Sequence, residues 1–474
     1  MNLDFLLGEL GIRSNFGDVE VTSVTENVKN VKDGSLFVAV KGESFDGNSF
    51  ISEAFSRGAA AVVTDKDIKA EKIIKVADAR LLLGFLCSAF YSHPQYRMKM
   101  IGITGTNGKT TTAEYLRHII GFSGKKCAVI GTLGSRAENY FSETGYTTPS
   151  AELLFSELKK LADAGNEYCI MEVSSQALAQ KRVDPIEFYL SVFTNIGRDH
   201  TDYHGSMENY VREKTRLFSL SERSLINADD AYSEMFENIA AGSALSYSVK
   251  GKYADYMAKN IRISDDKISY ILLKSGSIER LQFEGLGEYT VYNTLAAASA
   301  ADILGIDFSV SSRALQVLPD VKGRAQKISA NGKTVYIDFA HTPESLDLIL
   351  KALKSRNKAK LICVFGCGGN RDRSKRSKMG AVAAETADTV ILTSDNPRNE
   401  NPDEIISDIL KGINNKAIVT ETDREKAISL AIEKAEPDDI VLIAGKGHEE
   451  YQYLNGEKKY FSDEITVKKL LGLM

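Results

Sequence analysis

The sequence predicts an α/β protein of three domains, over residues 1–96, 97–320 and 321–474. Three observations carry that prediction. A length of 474 residues exceeds what one hydrophobic core ordinarily organises, so several cores are expected. A glycine-rich stretch, Gly102-Ile-Thr-Gly-Thr-Asn-Gly-Lys-Thr-Thr-Thr112, stands between an apolar run and a segment of helical periodicity. From residue 360 onward, apolar runs alternate with amphipathic stretches, the order that parallel βαβ units produce.

Taken in order, the first 96 residues read as a small α/β unit. Residues 34–40 and 59–64 are apolar enough for strands, and 50–58 and 79–91 are patterned as helices. Asp46-Gly47-Asn48 has turn composition, and His93-Pro94 breaks the preceding helix to make a linker.

Residues 98–103 read as a buried strand and 113–120 as a helix, with the glycine-rich stretch between them. Such a turn lets backbone N–H groups close around phosphate oxygens, and the helix N-terminus adds a favourable dipole. Lys109 supplies a mobile cation, and Thr110 a hydroxyl suited to Mg²⁺ held by the same phosphates. The common P-loop spacing wants a glycine at position 103, which is isoleucine, so this is a variant loop.

Later apolar runs end in polar clusters. Residues 168–172 form a strand ending at Glu172, followed by Ser174 and Ser175. A carboxylate at the end of a buried strand is costly unless paired or bound to metal, so Glu172 reads as functional. The run 190–196 leads into His200, Asp202 and His204, a second cluster of the same kind. Thr147, Thr148 and Ser150 precede a helical pattern and read by default as helix caps. Lys214, on the helical stretch 207–218, reads by itself as a solvated lysine. Asn293 opens an alanine-rich helical stretch, and a cap is favoured over an amide that reads a purine edge.

In the last domain, strands over 360–365, 389–393, 417–420 and 439–444 alternate with helices over 377–386, 402–411 and 424–435. An open parallel sheet gathers its post-strand loops on one edge, where ligands bind. Three of those loops are charged: Gly366 to Arg373, Asp395-Asn-Pro-Arg398 and Gly445-Lys-Gly-His-Glu449. Arg371, Arg398, Asp395 and Glu449 on one edge suit a zwitterion with an extra carboxylate.

Composition narrows the function. Apolar content of 43% and charged content of 26% are those of a globular chain, and no stretch is apolar enough to cross a bilayer. No basic-then-apolar leader is present, so a cytoplasmic protein without membrane partners is expected. A net charge of −5 argues against nucleic acid as a partner. Five scattered cysteines (Cys87, Cys127, Cys169, Cys363, Cys367) read as reduced, buried thiols.

Together these motifs resemble the Mur ligase family, the ATP-dependent amino-acid ligases of peptidoglycan synthesis. The glycine-rich loop, Met171-Glu-Val-Ser-Ser, Thr194-Asn-Ile-Gly-Arg-Asp-His, Tyr292-Asn, Tyr336-Ile-Asp-Phe-Ala-His and Gly-Lys-Gly-His-Glu follow the family's order over nearly the whole chain. Tyr146-Thr-Thr-Pro and Asp395-Asn-Pro-Arg look like the branch that adds the third residue of the stem peptide. The resemblance implies a uridine-binding N-terminal domain, a P-loop-type central ATPase domain and a Rossmann-like C-terminal domain. It implies ATP and Mg²⁺ as cofactors, with Gly105, Thr106, Asn107, Gly108, Lys109, Thr110, Thr111, Asn293, Arg324 and Asp338 holding ATP. Lys109, Glu172, His200 and Lys214 would be catalytic. Thr110, Glu172, His200 and a carbamylated Lys214 would hold metal. Thr147, Thr148, Ser174, Ser175, Arg182 and His341 would hold a UDP-muramyl dipeptide. Arg371, Asp395, Asn396, Pro397, Arg398, Gly445 and Glu449 would hold meso-diaminopimelate. The implied reaction runs through an acyl phosphate in a monomeric enzyme. Three departures stand out: Asn27-Val28-Lys29 for the usual Asp-Ser-Arg, Gln176 for a common histidine, and Asn370 for a common aspartate. The alternatives are lysine or another diamino acid as substrate, a folylpolyglutamate synthase of the same superfamily, and a non-catalytic ATP-binding switch.

Overall fold

Three sheets, each with its own helices, and a two-stranded hairpin of Tyr451–Leu454 with Glu457–Tyr460 appear in a computed structural model of the chain. It describes residues 1–42, 45–197, 201–240, 242–264, 267–356, 359–414 and 418–474, and of residues 201 and 202 the backbone only. The first sheet is parallel, with strands Ser23–Thr25, Ser35–Ala39, Ala59–Thr64 and Ile73–Lys75 side by side in chain order. Strand Ser35–Ala39 is buried along its length. Its side chains alternate: Leu36 and Val38 join one apolar cluster, and Phe37 and Ala39 the opposite one. The Asp46 side chain accepts from the Asn48 N–H and so caps the short 3₁₀ turn Gly47–Phe50, as the turn composition of that stretch predicts.

The second sheet has eleven strands, and the glycine-rich loop leaves its middle. Strand Lys99–Thr104 lies between Tyr168–Glu172 and Phe188–Phe193, both parallel to it. Cys127–Gly131 continues the parallel run on one side, and Ser221–Asn227 and Ser243–Ser248 on the other. The ends of all these strands therefore face the same edge. Antiparallel hairpins close both flanks, so the sheet is mixed.

Two helices cover one face. Lys109–Phe122 and Gly287–Ile303 pack Leu116, Ile120, Leu295 and a run of buried alanines against Ile101 and Ile103. Small side chains let these two helices approach closely. The other face takes Ala151–Asp163 and Met207–Ser219, with Leu154, Leu158, Leu217 and Phe218 packed on the side of Met100. The first of the four helices starts four residues earlier than its apolar pattern suggests, because Gly108 caps it directly after the loop.

The third sheet has six strands in the order Gln326–Ala330, Lys333–Asp338, Ile440–Ala444, Leu361–Phe365, Thr389–Leu392 and Ile418–Thr420. All pairs but the first are parallel. Helices Pro343–Lys354, Ser374–Thr386 and Pro402–Leu410 cover one face, and Arg424–Lys434 and Asp463–Leu470 the other. This is the doubly wound layering that the alternating pattern predicts. All five cysteines are free and buried, and burial pushes the thiols of Cys363 and Cys367 up to about 12.

Candidate active site

The glycine-rich loop is held in shape by its own glycines and by its neighbours. Gly105 has φ +146°, and a side chain there would collide with the Thr194 hydroxyl. Gly108 has φ +85°, and a Cβ would stand 2.6 Å from Asn293 Oδ1. Only glycine fits both constraints. Neighbouring strand ends clamp the loop. The Asn107 N–H donates to Asn195 Oδ1 at 3.0 Å, and the Thr194 hydroxyl donates to the Asn107 carbonyl at 2.7 Å. Lys109 Nζ curls back to donate to the carbonyls of Gly105 and Thr106, at 2.9 and 3.0 Å.

Glu172 stands at its strand end, 1% exposed. The Thr110 hydroxyl donates to its Oε2 at 2.8 Å, and the Thr132 hydroxyl and N–H donate to Oε2 and Oε1 at 3.0 and 2.9 Å. The buried carboxylate is thus satisfied by neutral donors, and it sits beside the hydroxyl expected to reach a cation. Thr132 also meets the Thr147 hydroxyl at 3.1 Å, so sequence reasoning missed a residue that joins two of its candidates. Its only signal was its place, directly after the apolar strand Cys127–Gly131.

Several expectations need correction. Lys214 is no solvated lysine. It is 2% exposed, donates to the Gly105 carbonyl at 2.9 Å and lies 4.7 Å from the Tyr210 ring centre. Asn293 is no cap, because its helix begins at Gly287, six residues earlier. Its Oδ1 instead faces Gly108 and accepts from the Thr112 hydroxyl at 3.3 Å. Thr148 is no cap either. Its hydroxyl donates to the Glu172 carbonyl at 2.8 Å and accepts from the Ser174 N–H at 3.0 Å, and Ser150, the true N-cap, makes no side-chain cap bond. Periodicity places a residue on a helix but does not say what faces it.

Next to Thr148, Arg182 Nη1 donates to the Thr148 carbonyl at 2.7 Å. Burial raises the Glu26 carboxyl, opposed by the nearby charges of Arg80 and Arg182. Ser175 Oγ pairs with His204 Nε2 at 2.9 Å. His200 and the Asp202 side chain lie outside the described residues.

The C-terminal sheet reaches this site through Arg324. Its Nη2 stands 3.3 Å from the Thr110 hydroxyl, and its guanidinium lies 4.5 Å from the Phe339 ring centre. Asp338 accepts from the N–H groups of Ala325 and Ala340 at 2.6 and 2.7 Å. Burial raises its carboxyl, and Arg324 opposes that shift. His341 Nδ1 lies 2.8 Å from the Phe339 carbonyl.

His448 shows how dry this corner is. Its ring lies 5.2 Å from Phe339, and Nδ1 has no partner among the described residues. Burial, and then the positive charge of Arg324, push its imidazole down to about 3. A folded value below the ordinary 6.5 means that the neutral ring's contribution to stability is complete above pH 6.5 and is lost as pH falls toward 3. His448→Gln should therefore flatten the acid side of the stability profile across that window, read from denaturant midpoints. An unchanged acid limb would contradict burial of the neutral ring.

The three charged loops do meet on one edge. Asn396 Nδ2 donates to Glu449 Oε2 at 2.9 Å, and Lys446, fully buried, donates to the same oxygen at 2.9 Å. A Cβ on Gly445 would come 2.5 Å from Asp395 Oδ2. Arg398 has φ +56° and donates from Nη1 to the Gly369 carbonyl at 2.6 Å, and Arg371 Cγ stands beside the same turn. Burial, and then repulsion from Arg371, lower the Arg398 guanidinium. Pro397 gives its carbonyl to the Glu400 N–H at 3.0 Å. Sequence reasoning passed over Lys446, although it lies inside one of the three loops.

One cleft of about 1670 Å³ joins both sets. Thr106 to Thr111, Thr147, Glu172, Asn293, Arg324, Asp338 and His341 line it together with Arg371, Asp395, Asn396, Arg398, Gly445 and Glu449. Gly105, Thr148, Ser174, Ser175, Arg182, Lys214 and Pro397 stand outside that lining; Ser174 and Arg182 both bond to Thr148, the neighbour of Thr147, which does line it. Among the described residues no three His, Cys, Asp or Glu side chains cluster as metal ligands. Thr110 and Glu172 supply hydroxyl and carboxylate oxygens, a set that fits Mg²⁺ when phosphates complete the shell.

A glycine-rich loop with its lysine on one wall, and arginine and carboxylate loops on the other, fit one class: an ATP-dependent ligase that joins an acid to an amino acid. The family follows from comparison with known proteins. The Mur ligase middle domain matches residues 103–301, the Mur ligase glutamate ligase domain matches 323–447, and the Mur ligase family catalytic domain matches 20–91. The UDP-N-acetylmuramoyl-L-alanyl-D-glutamate--2,6-diaminopimelate ligase of Aquifex aeolicus is 41% identical, over 95% of this chain and 94% of its own. A solved structure of a ligase of that name superposes with a TM-score of 0.72 at 31% identity, over 100% of this chain and 99% of its own. A Mycobacterium tuberculosis folylpolyglutamate synthase complexed with ADP and AMPPCP shares the fold, at a TM-score of 0.64 and 16% identity, over 76% of this chain and 91% of its own. The chain belongs to the Mur ligase family.

Proposed function

We propose that this protein joins meso-diaminopimelate to UDP-N-acetylmuramoyl-L-alanyl-D-glutamate at the expense of ATP, in peptidoglycan precursor synthesis. One observation carries the reading: the phosphate loop and the paired arginine–carboxylate loops line the same cleft. The three domains, over 1–96, 97–320 and 321–474, divide the work as uridine binding, ATP chemistry and amino-acid delivery. Backbone N–H groups of Gly105 to Thr111 cradle the phosphates, and Lys109 swings from its two carbonyls to the γ-phosphate. Asn293, Arg324 and Asp338 hold adenine, phosphate and ribose. Mg²⁺, when bound, neutralises the charge that develops on the transferred phosphoryl group. Thr110 and Glu172 hold it, with His200 and a carbamylated Lys214 completing the set. Thr147, Thr148, Ser174, Ser175, Arg182 and His341 hold the muramyl dipeptide so that its free carboxylate meets the γ-phosphate.

The acyl phosphate so formed is attacked by the amine of diaminopimelate, and phosphate leaves. Asp395, Asn396 and Glu449 would take the ammonium, and Arg371 and Arg398 the distal carboxylate, with Pro397 and Gly445 shaping the loops. The chain works as a cytoplasmic monomer; no described helix is long and apolar enough to cross a membrane. Purified protein with ATP, Mg²⁺, the UDP-muramyl dipeptide and diaminopimelate should form ADP, phosphate and a UDP-tripeptide, read by mass spectrometry. Turnover with lysine alone would reassign the amino acid. ATP binding with no amine-dependent product would favour a switch protein.

A further inference from the structure

The two loops assigned to the diamino acid share one buried anchor. Arg424 opens helix Arg424–Lys434 and is 1% exposed. Its Nε and Nη2 donate to Oδ1 and Oδ2 of Asp463 at 2.8 and 2.9 Å. Asp463 is fully buried at the first position of the last helix. The same guanidinium also donates to main chain, Nη1 to the Ser394 carbonyl at 3.3 Å and Nη2 to the Ala444 carbonyl at 3.0 Å. Ser394 is the residue before Asp395, and Ala444 the residue before Gly445. One side chain therefore bridges the roots of both loops. The loops also meet directly: Asp395 Oδ2 lies where a Cβ on Gly445 would intrude, and Asn396 Nδ2 donates to Glu449 Oε2 at 2.9 Å.

A buried ion pair is a poor choice for stability alone, since desolvation offsets its attraction and apolar replacements often fold as well. A planar fork that reaches a carboxylate and two carbonyls at once does something an apolar side chain cannot: it fixes a distance. We propose that Arg424, oriented by Asp463, is a positioning residue that sets the spacing of the 395–398 and 445–449 loops, and so the enzyme's affinity and selectivity for the diamino acid. It touches no substrate and acts only through those loops. The inference rests on the ligase reading above.

Two variants test it. Arg424→Lys keeps a cation for Asp463 but loses the fork, so one carbonyl or both go unheld. The double variant R424M/D463L removes both charges together and avoids a buried unpaired carboxylate. Steady-state constants for all three substrates are measured, with thermal midpoints. In both variants KM for diaminopimelate should rise ~10-fold or more, with KM for ATP and for the UDP-dipeptide held within about twofold. The preference for diaminopimelate over lysine should narrow in step. If the double variant fails to fold, Arg424→Lys decides alone. Unchanged constants, or all three KM values moving together with the thermal midpoint, would overturn the positioning role. Wild-type protein run alongside separates the two readings: turnover there with no selective change in the variants overturns only the inference, whereas no turnover there overturns the ligase reading and the inference with it.

Discussion

Lys109→Ala should lower the rate of ADP formation at least ~10³-fold, roughly 4 kcal/mol of transition-state stabilisation, while leaving the thermal midpoint nearly unmoved. The asymmetry follows from where the ammonium rests. It donates to two carbonyls of its own loop, Gly105 and Thr106, and the clamp that shapes the loop comes from Thr194 and Asn195. Removing the ammonium therefore leaves the cradle standing. During phosphoryl transfer the charge spreads over oxygens that only a mobile cation can follow, and that stabilisation is lost. Single-turnover ADP release, with nucleotide binding measured separately by calorimetry, distinguishes the two effects. A variant within tenfold of wild type would remove Lys109 from the chemistry.

Arg398→Ala should cut kcat/KM for diaminopimelate by ~10²–10³-fold while changing that for lysine only a few-fold. The guanidinium is half-buried and uses Nη1 on the Gly369 carbonyl, with Arg371 close enough to depress it. Arg371 is exposed and Arg398 half-buried, and two like charges so placed favour an anion beside them. The distal carboxylate of diaminopimelate supplies one, and lysine has none. With lysine bound, wild-type protein would leave the pair uncompensated, and that penalty is the source of discrimination. Competition assays with both amino acids present read the ratio directly. Equal losses on both substrates would place Arg398 in general loop structure and not in selectivity.

Some of this site was open to reading along the chain, and some was not. Glu172 declared itself, because a carboxylate closing a buried apolar strand has few inexpensive explanations, and its donors Thr110 and Thr132 supply one. The three loops of the C-terminal sheet were legible for a related reason: a parallel sheet gathers its loops on one edge whatever their sequence separation. Lys214 was half legible. It falls in the apolar stripe of its helix with Tyr210, Val211, Leu217 and Phe218, which contradicts a solvated lysine, but its acceptor, the Gly105 carbonyl, lies 109 residues away. Asn293 misled because the alanines that mark its helix, from residue 296 on, all follow it, whereas the helix begins at Gly287.

What the sequence by itself determined is local: which runs are strands, where backbone must turn through glycine, and which polar residues end up at strand termini. Those follow from side-chain sterics and the cost of burying polar groups, and both act over a few residues. The tertiary structure alone decided which termini meet. Arg324 reaches Thr110 across 214 positions, and Arg424 finds Asp463, Ser394 and Ala444 on three different elements. Such distances are set by how separate sheets pack and by which charge is left inside with a partner, and no window along the chain contains that information.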